Sequence, residues 1–358
     1  MKQVIQCILF IISLNTFGQY DSIKPSLKIS SYIEVYYCYD FGKPTDHNRP
    51  PFIYSFNRSN EVNLNIGFIK ASFENKSTRA NFAIMAGTYS NANLAAEPGV
   101  LKNIYEANAG VKIHKTKNLW IDAGVFGSHL GIEGAVGKDC WNLTRSMAAE
   151  NSPYYETGVK GTYISDNSKW LISALFLNGW QRIQRIDGNN SLAVGHQVTY
   201  TSSKKLTINS SSFIGNDKPD SVKQMRYFHN LHAKYEWNQK YGLIAGFDVG
   251  AEQKAKGITD YNIWYTPYIQ LRYILSPKII LAARGEYYYD KNEVIIATGT
   301  ANGFQTIGYS VNTDIQINSY AVWRIEGRVL NSKDEIFTLN NNTNSKNFAL
   351  TTSLAIAL

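Results

Sequence analysis

Residues 344–358 read NSKNFALTTSLAIAL, and large apolar side chains alternate there with small ones. One face of this stretch carries Phe348, Leu350, Thr352, Leu354, Ile356 and Leu358, and the other carries Ala349, Thr351, Ser353, Ala355 and Ala357. A period of two is typical of a β-strand with two unlike faces. What lies against each face is indicated by the rest of the chain.

The same alternation recurs along nearly the whole chain of 358 residues. It predicts about sixteen strands, at 27–40, 61–72, 79–88, 104–113, 119–127, 154–165, 169–180, 191–201, 205–215, 227–237, 241–252, 263–274, 278–290, 304–317, 320–330 and 347–358. Helical patterns are few, and only NANLAAEPGVLKNIYEAN (91–108) predicts a short helix. The chain is therefore predicted to be all-β.

The connections between these strands alternate strictly in length. Those after even-numbered strands are tight turns such as NQK (238–240) and NS (318–319), whereas those after odd-numbered strands are long, as in 41–60 and 331–345. Sorting of this kind gathers all turns at one end and all loops at the other, which is typical of outer-membrane barrels. We therefore predict a closed antiparallel up-and-down transmembrane β-barrel with short periplasmic turns and long extracellular loops.

The two faces of the strands agree with a barrel wall between lipid and water. In 61–72 we assign Val62, Leu64, Ile66 and Phe68 to lipid, and in 320–330 we assign Ala321, Trp323, Ile325 and Val329 to lipid. The mean hydropathy of −0.27 is then explained by the water-facing half of each strand. Because an open sheet edge is costly in hydrocarbon, the last strand is expected to pair with the first.

Tryptophans support this arrangement, since Trp170, Trp237 and Trp323 lie beside short turns, where interfacial aromatic girdles occur. Trp180 lies at a loop end. Two residues do not fit: the parity of Trp120 points inward, and His196 shares its face with apolar residues.

The N-terminus and the cysteines indicate export. Residues 1–18 combine Lys2, an apolar core and small residues, which predicts a signal peptide before a single domain at 19–358. Cys38 and Cys140 could form a disulfide in an exported protein or remain buried thiols. The net charge of +8 forms no basic tract with interleaved aromatic residues, so we expect no nucleic-acid partner.

Several long segments resemble one known family. HNRPPFIYSFNRSNEVNLNIGFIKA (47–71), NLAAEPGVLKNIYEANAGVKI (93–113), GKDCWNLTRSMAAENSPYYETG (137–158), NGWQRIQR (178–185) and SSFIGNDKPDSVKQMRYFHN (211–230) resemble the OmpL-like outer-membrane β-barrel porins of Gram-negative bacteria. The resemblance covers almost all of the mature chain. It implies a passive channel in the cell outer membrane, with outer-membrane lipid, small hydrophilic solutes or ions and the barrel-assembly machinery as partners, and a possible homo-oligomer. Leu358 departs from the aromatic last residue common in such proteins.

Motifs for chemistry are missing from the sequence, which contains no H-E-x-x-H, C-x-x-C or G-x-S-x-G pattern. We therefore predict no catalytic residues, no cofactor, no metal site and no enzymatic activity. Two alternatives stay open: a barrel enzyme of the lipase or protease type, and an adhesin that uses the long loops.

Ionisable residues on the water-facing parity are the candidates for solute selection, because rings of charge in a pore set ion preference. They include Arg79, Glu106, Lys112, Asp122, Glu156, Lys160, Lys234, Glu236, Asp248, Arg272, Arg284, Glu286, Asp314, Arg324, Glu326 and Arg328. Arg284, Arg324 and Arg328 are expected to form a basic ladder, with Glu326 beside them, and this ladder favours a slight anion preference.

The long loop 128–153 is predicted either to fold into the barrel or to cap it outside. If it folds inward, its acids Glu133, Asp139 and Glu150 would oppose the arginines across a constriction.

Overall fold

Sixteen antiparallel strands close into one barrel in the computed structural model, which describes residues 25–203, 205–340 and 342–358. The predicted signal peptide, residues 1–18, lies outside the described residues. The first strands are β1 (Ser26–Asp40), β2 (Val62–Glu74), β3 (Thr78–Ala86), β4 (Ile104–Lys112), β5 (Asn118–Gly127), β6 (Tyr155–Ile164), β7 (Trp170–Leu177), β8 (Ala193–Ser203) and β9 (Leu206–Asn216). They are followed by β10 (Met225–Trp237), β11 (Tyr241–Gln253), β12 (Tyr261–Ser276), β13 (Ile279–Asp290), β14 (Phe304–Gln316), β15 (Ala321–Ser332), β16 (Phe337–Leu339), β17 (Asn342–Asn344) and β18 (Lys346–Ala357).

The barrel closes where β18 pairs with both β1 and β15, as the terminal alternation predicts. In the register, Tyr32 lies opposite Ala357 and Trp323 lies opposite Leu354. The large side chains of β18 are on the outer surface, with Leu350 45% exposed, whereas Ala355 on the other face is fully buried. The predicted strand number, closure and two-faced last strand are confirmed.

Within the described residues, the regular structure outside the barrel wall lies in the long connections. These hold α1 (Thr88–Asn93), α2 (Met147–Glu150) and short 3-10 segments at Gly99–Asn103, Gly137–Asp139 and Asp220–Val222. The predicted helix at 91–108 is therefore only partly right, because α1 ends at Asn93. The hairpin of β16 and β17 in the last long connection was not predicted. Within the described ranges, no helix is long and apolar enough to cross a membrane.

The faces predicted for 61–72 are wrong beyond residue 65, because the register between β1 and β2 shifts there. Val35 pairs with Leu64 but Glu34 pairs with Ile66, so Asn65 is an extra residue in β2. One extra residue reverses the side-chain parity of everything after it. Ile66 is accordingly buried inside, and Ile69, at 59% exposure, takes the lipid face.

Aromatic residues encircle the short-turn end of the barrel. Trp170 and Trp323 are each 43% exposed at the start of a strand. Trp237 stacks between Tyr235 and Tyr241, with ring centroids 5.7 Å away on each side. Trp120 points inward, as its parity predicts, under the guanidinium of Arg79. This girdle marks one membrane interface.

The cysteines follow the second of the two alternatives that the sequence leaves open. Cys38 and Cys140 are both free and buried.

Candidate functional site

The long loop after β5, residues 128–154, lies inside the barrel and is called the inward loop below. Its backbone N–H groups at Thr144 and Met147 donate to the carboxylates of Glu326, at 2.8 Å, and Glu286, at 2.5 Å. Both carboxylates belong to the inner face of the wall, because Trp323 and Val329 on the other face of β15 are exposed. Of the two predicted positions, inside or outside, the loop occupies the inner one.

The local fold of the inward loop follows from a helix cap. Ser146 precedes α2 in an extended conformation, and its side chain accepts a hydrogen bond from the N–H of Ala149. Serine at this position satisfies one of the free N–H groups of the first helical turn. The N–H of Ser146 in turn donates to Glu133 at 2.9 Å. The inward loop thus has hydrogen bonds within itself in addition to its contacts with the wall.

The predicted basic ladder is present, and it binds the inward loop directly. Arg284 donates to the carbonyl of Thr144 at 2.7 Å, and Arg328 donates to the carbonyl of Arg145 at 3.0 Å. Arg324 donates to three loop carbonyls, those of Gly137, Cys140 and Trp141, at 2.6–3.1 Å.

Each ladder arginine also has a carboxylate partner. Arg324 pairs with Asp314 at 2.6 Å, Arg328 with Glu286 at 2.7 Å, and Arg284 with Glu286, Glu326 and Glu133 at 3.1, 3.5 and 3.7 Å. No ladder arginine is more than 2% exposed. Removing one member of such a pair is strongly destabilising, because it leaves a buried charge without compensation. The geometry therefore indicates that these arginines anchor the inward loop to the wall.

The three loop acids do not face the ladder across a gap. Glu133 is in ion-pair contact with Arg284, and Asp139 is exposed. Glu150 accepts hydrogen bonds from the N–H groups of Tyr54 and Ser55, so it joins the inward loop to the connection after β1. Burial raises the pKa of Glu150 to about 7, against the lowering effect of those hydrogen bonds and of Arg145 and Arg328. The structure thus brings six of the seven predicted constriction residues into buried contacts; their effect on ion selectivity stays a prediction.

Charged residues, all but Asp122 partly exposed, lie on the opposite wall, along β2–β6. Lys70 pairs with Glu106 at 2.6 Å, and Arg79 pairs with Asp122 at 2.5 Å. Together with Lys160 they line a polar cavity of about 380 Å³. The parity rule predicted every member of this group except Lys70, whose face depends on the extra residue in β2.

A second group of partly exposed charges lies on β10–β12. Glu236 binds both Lys234, at 3.4 Å, and Arg272. The guanidinium of Arg272 lies 4.6 Å from the ring centroid of Trp141 on the inward loop. Unlike the ladder arginines, these side chains keep roughly a quarter to a third of their area exposed, so they can interact with passing solutes.

Apolar side chains fill much of the rest of the interior, which sequence reasoning missed. Phe213, Phe228 and Phe304 point inward from three strands and are at most 4% exposed. They belong to one cluster with Phe52 of the connection after β1 and Met147 of the inward loop. The sequence pattern assigned the inner faces of the strands to water. The loops that bury these residues come from distant parts of the sequence, so strand parity alone carries no signal for them.

Two cavities lie on the β3–β6 side of the inward loop. One of about 180 Å³ lies between loop residues 128–135 and the wall, and it shares Glu106 and Gly127 with the polar cavity. The two cavities adjoin at these residues.

Comparison with known proteins assigns the family. The family described as "Putative beta-barrel porin-2, OmpL-like" matches residues 26–358. A search of curated proteins gives no match.

Similar solved structures include the anion-selective porin from Comamonas acidovorans, with 8% identity, a TM-score of 0.62 and coverage of 94% of this chain and 100% of that one. OmpF of Salmonella typhi in complex with daunomycin has 12% identity and a TM-score of 0.60, over 93% of this chain and 97% of that one. The outer membrane channel DcaP of Acinetobacter baumannii has 7% identity and a TM-score of 0.59, with the same coverage. At such identities the likeness shows the fold.

Proposed function

The chain belongs to the OmpL-like β-barrel porin family, and from this premise we propose that it passes small hydrophilic solutes by diffusion, with a slight preference for anions. Family membership and the closed barrel make it an outer-membrane channel. The absence of catalysis, the lack of cofactor and metal, assembly by the barrel-assembly machinery and a homo-oligomeric state are parts of the proposal. The contact of the outer strand faces with lipid follows from the fold.

The observation that carries the anion preference is the balance of partly exposed charge. The two groups described above contain five partly exposed cationic side chains, Lys70, Arg79, Lys160, Lys234 and Arg272, and two partly exposed anionic ones, Glu106 and Glu236; Asp122 is buried in its pair with Arg79. Glu74 at the rim and Lys112 on the inner face of β4 add one charge of each sign, so the excess of positive side chains is unchanged. Low-dielectric walls focus the field of such charges on the solution between them.

The ladder arginines contribute less to this field, because each is paired and screened from water by the loop. The β2–β6 wall carries more of the positive excess than the group on β10–β12, which supports a preference set mainly on that wall. Because exposed pairs are attenuated by salt, the preference should weaken in molar salt, where the Debye length is about 3 Å.

The test is the reversal potential in a salt gradient across a planar bilayer. A variant with Lys70→Gln, Arg79→Gln and Lys160→Gln should shift it toward cation preference at low salt. The matched control, with Lys115→Gln, Lys169→Gln and Lys278→Gln, removes three charges from exposed or turn positions at the short-turn end and should shift it less. An equal shift in both variants would contradict a selectivity set on this wall.

A further inference from the structure

A cluster of polar side chains lies on the outer surface of the barrel wall, where every neighbouring strand presents apolar residues. It consists of His196 on β8, Ser210 and Ser212 on β9 and His229 on β10. The residues next to Ser210, Ser212 and His229 in sequence point inward and are buried, as Ser211 and Asn230 are, and His196 lies opposite Ala174 on the exposed face of β7. Their neighbours on the same face are exposed, as Leu231 is at 48%. The cluster therefore faces away from the lumen.

The four side chains form one continuous patch across three strands. His196 and His229 both lie opposite Ser212 in the register. The hydroxyl of Ser212 lies 2.6 Å from Nδ1 of His196, and that of Ser210 lies 3.4 Å from Nε2 of His229. The two imidazole rings are 5.9 Å apart.

The patch lies between the two interfacial levels of the membrane. Tyr200 and Tyr235 mark the short-turn side on β8 and β10, and Tyr227 marks the loop side. At about 3.3 Å per residue, His196 lies about 13 Å along its strand from Tyr200, and His229 lies about 20 Å from Tyr235. Strand tilt shortens these heights but leaves both imidazoles at hydrocarbon depth.

Hydrocarbon is a poor environment for these imidazoles. A neutral imidazole has one donor and one acceptor nitrogen, and each ring uses only one of them within the patch. Nε2 of His196 and Nδ1 of His229 have no hydrogen-bond partner among the described residues. Polar groups that face lipid are costly unless another polar group meets them. The unused nitrogens therefore need a hydrogen-bond partner from outside the chain.

We propose that the outer face of β8–β10 is the contact surface for a second copy of this chain in the membrane. The patch contains both donors and acceptors, so two copies of it can pair donor with acceptor. In a two-fold contact, His196 of one copy can meet His229 of the other, and the reverse. Small residues near the patch allow close approach, since Ala174 lies opposite His196, and Ala233, four residues along β10 from His229, lies opposite Ala245.

The first test compares the oligomeric state of the full chain with that of a variant with His196→Leu and His229→Leu, by native mass spectrometry from lipid nanodiscs. The wild type should be mainly dimeric. The variant should associate at least about tenfold more weakly, equivalent to about 1.4 kcal/mol. Its barrel should still fold, because leucine at a lipid-facing site suits hydrocarbon. The control, Ile69→Leu with Val311→Leu, changes exposed apolar positions on other strands and should remain dimeric.

The second test places a cysteine at Ser212→Cys in a background with Cys38→Ala and Cys140→Ala. Mild oxidation of membranes should link two copies through this position, and the matched Val311→Cys variant should stay unlinked. A wild type that is monomeric in nanodiscs would overturn the inference. An oligomer of any size that survives the double leucine variant would overturn it too, because its interface would lie elsewhere. A monomeric wild type would also remove the homo-oligomeric state from the proposed function, but neither result bears on conduction, so the channel itself is tested separately.

Discussion

Arg324 shows how single residues hold the inward loop in this barrel. Its guanidinium is fully buried, pairs with Asp314 and donates to three carbonyls of the loop. A planar fork of donors suits this arrangement, since a lysine would offer one compact charge in its place. One side chain thus joins the wall to a loop almost two hundred residues away in sequence.

We expect Arg324→Ala to lower the free energy of unfolding by about 3–5 kcal/mol, because it leaves Asp314 buried without its partner. Urea unfolding of the folded barrel in detergent micelles, followed by tryptophan fluorescence, measures the change. Lys117→Gln is the control, since it removes an ion pair that is exposed to solvent, and it should leave the unfolding midpoint unchanged. Equal midpoints for all three proteins would show that the loop is not anchored by this arginine.

Glu150 predicts a pH dependence. Its pKa is about 7 in the folded chain, against an ordinary value of 4.5. Between these values the folded chain keeps a proton that the unfolded chain has lost, so the free energy of unfolding falls as pH rises. The loss should reach up to about 3 kcal/mol by pH 8.

Other groups titrate as well, so the informative quantity is the difference between wild type and Glu150→Gln, measured at pH 5 and pH 8. The variant should show a smaller decrease in unfolding free energy than the wild type. An equal decrease in the two proteins would mean that Glu150 is ionised in the folded chain throughout this range.

At the scale of the element, β2 shows how far strand parity can be trusted. Its first residues have the predicted faces, and the extra residue at Asn65 reverses the remainder. Nothing in the local sequence marks that position, because asparagine and glycine occur at many places in these strands. The strand lies where it was predicted, but its pairing with β1 decides which of its side chains face lipid and which face the lumen.

Spin labels can test whether the two faces of β2 are reversed after Asn65. A label at Ile69→Cys should collide with oxygen dissolved in the bilayer, and a label at Lys70→Cys should collide with a water-soluble nickel complex. Both are placed in the background without Cys38 and Cys140, and the folded state is checked by β-rich circular dichroism. If the label at residue 69 instead met the nickel complex and the label at residue 70 met oxygen, the faces of β2 would be those that unbroken alternation predicts.

Much of the element pattern was predictable because it is local. Alternation fixed the number of barrel strands, and connection length fixed which end holds the loops. The partners of Glu326 and Arg328 were not predictable, because they are backbone groups of a loop whose path depends on the whole interior. The same holds for Phe213 and Phe304, whose inward parity was readable while the loops that cover them were not.

For the whole molecule, the alternation of short turns and long loops predicts one orientation of the barrel in the membrane. The long connections are expected at the cell surface, so cysteine at Thr45 or Glu335 should react with an impermeant maleimide on intact cells. Cysteine at Lys240, in a short turn, should react only after the outer membrane is opened. Labelling of the Lys240 site alone on intact cells would invert the barrel.

The proposed channel requires a water-filled path that crosses this barrel beside the inward loop. The most direct test is single-channel recording of the purified, folded chain in a planar bilayer, using material whose gel mobility changes on boiling. We expect discrete, reproducible conductance steps in symmetric salt, with a reversal potential slightly toward the anion in a gradient. Folded barrels that insert into the bilayer and carry no current would contradict it.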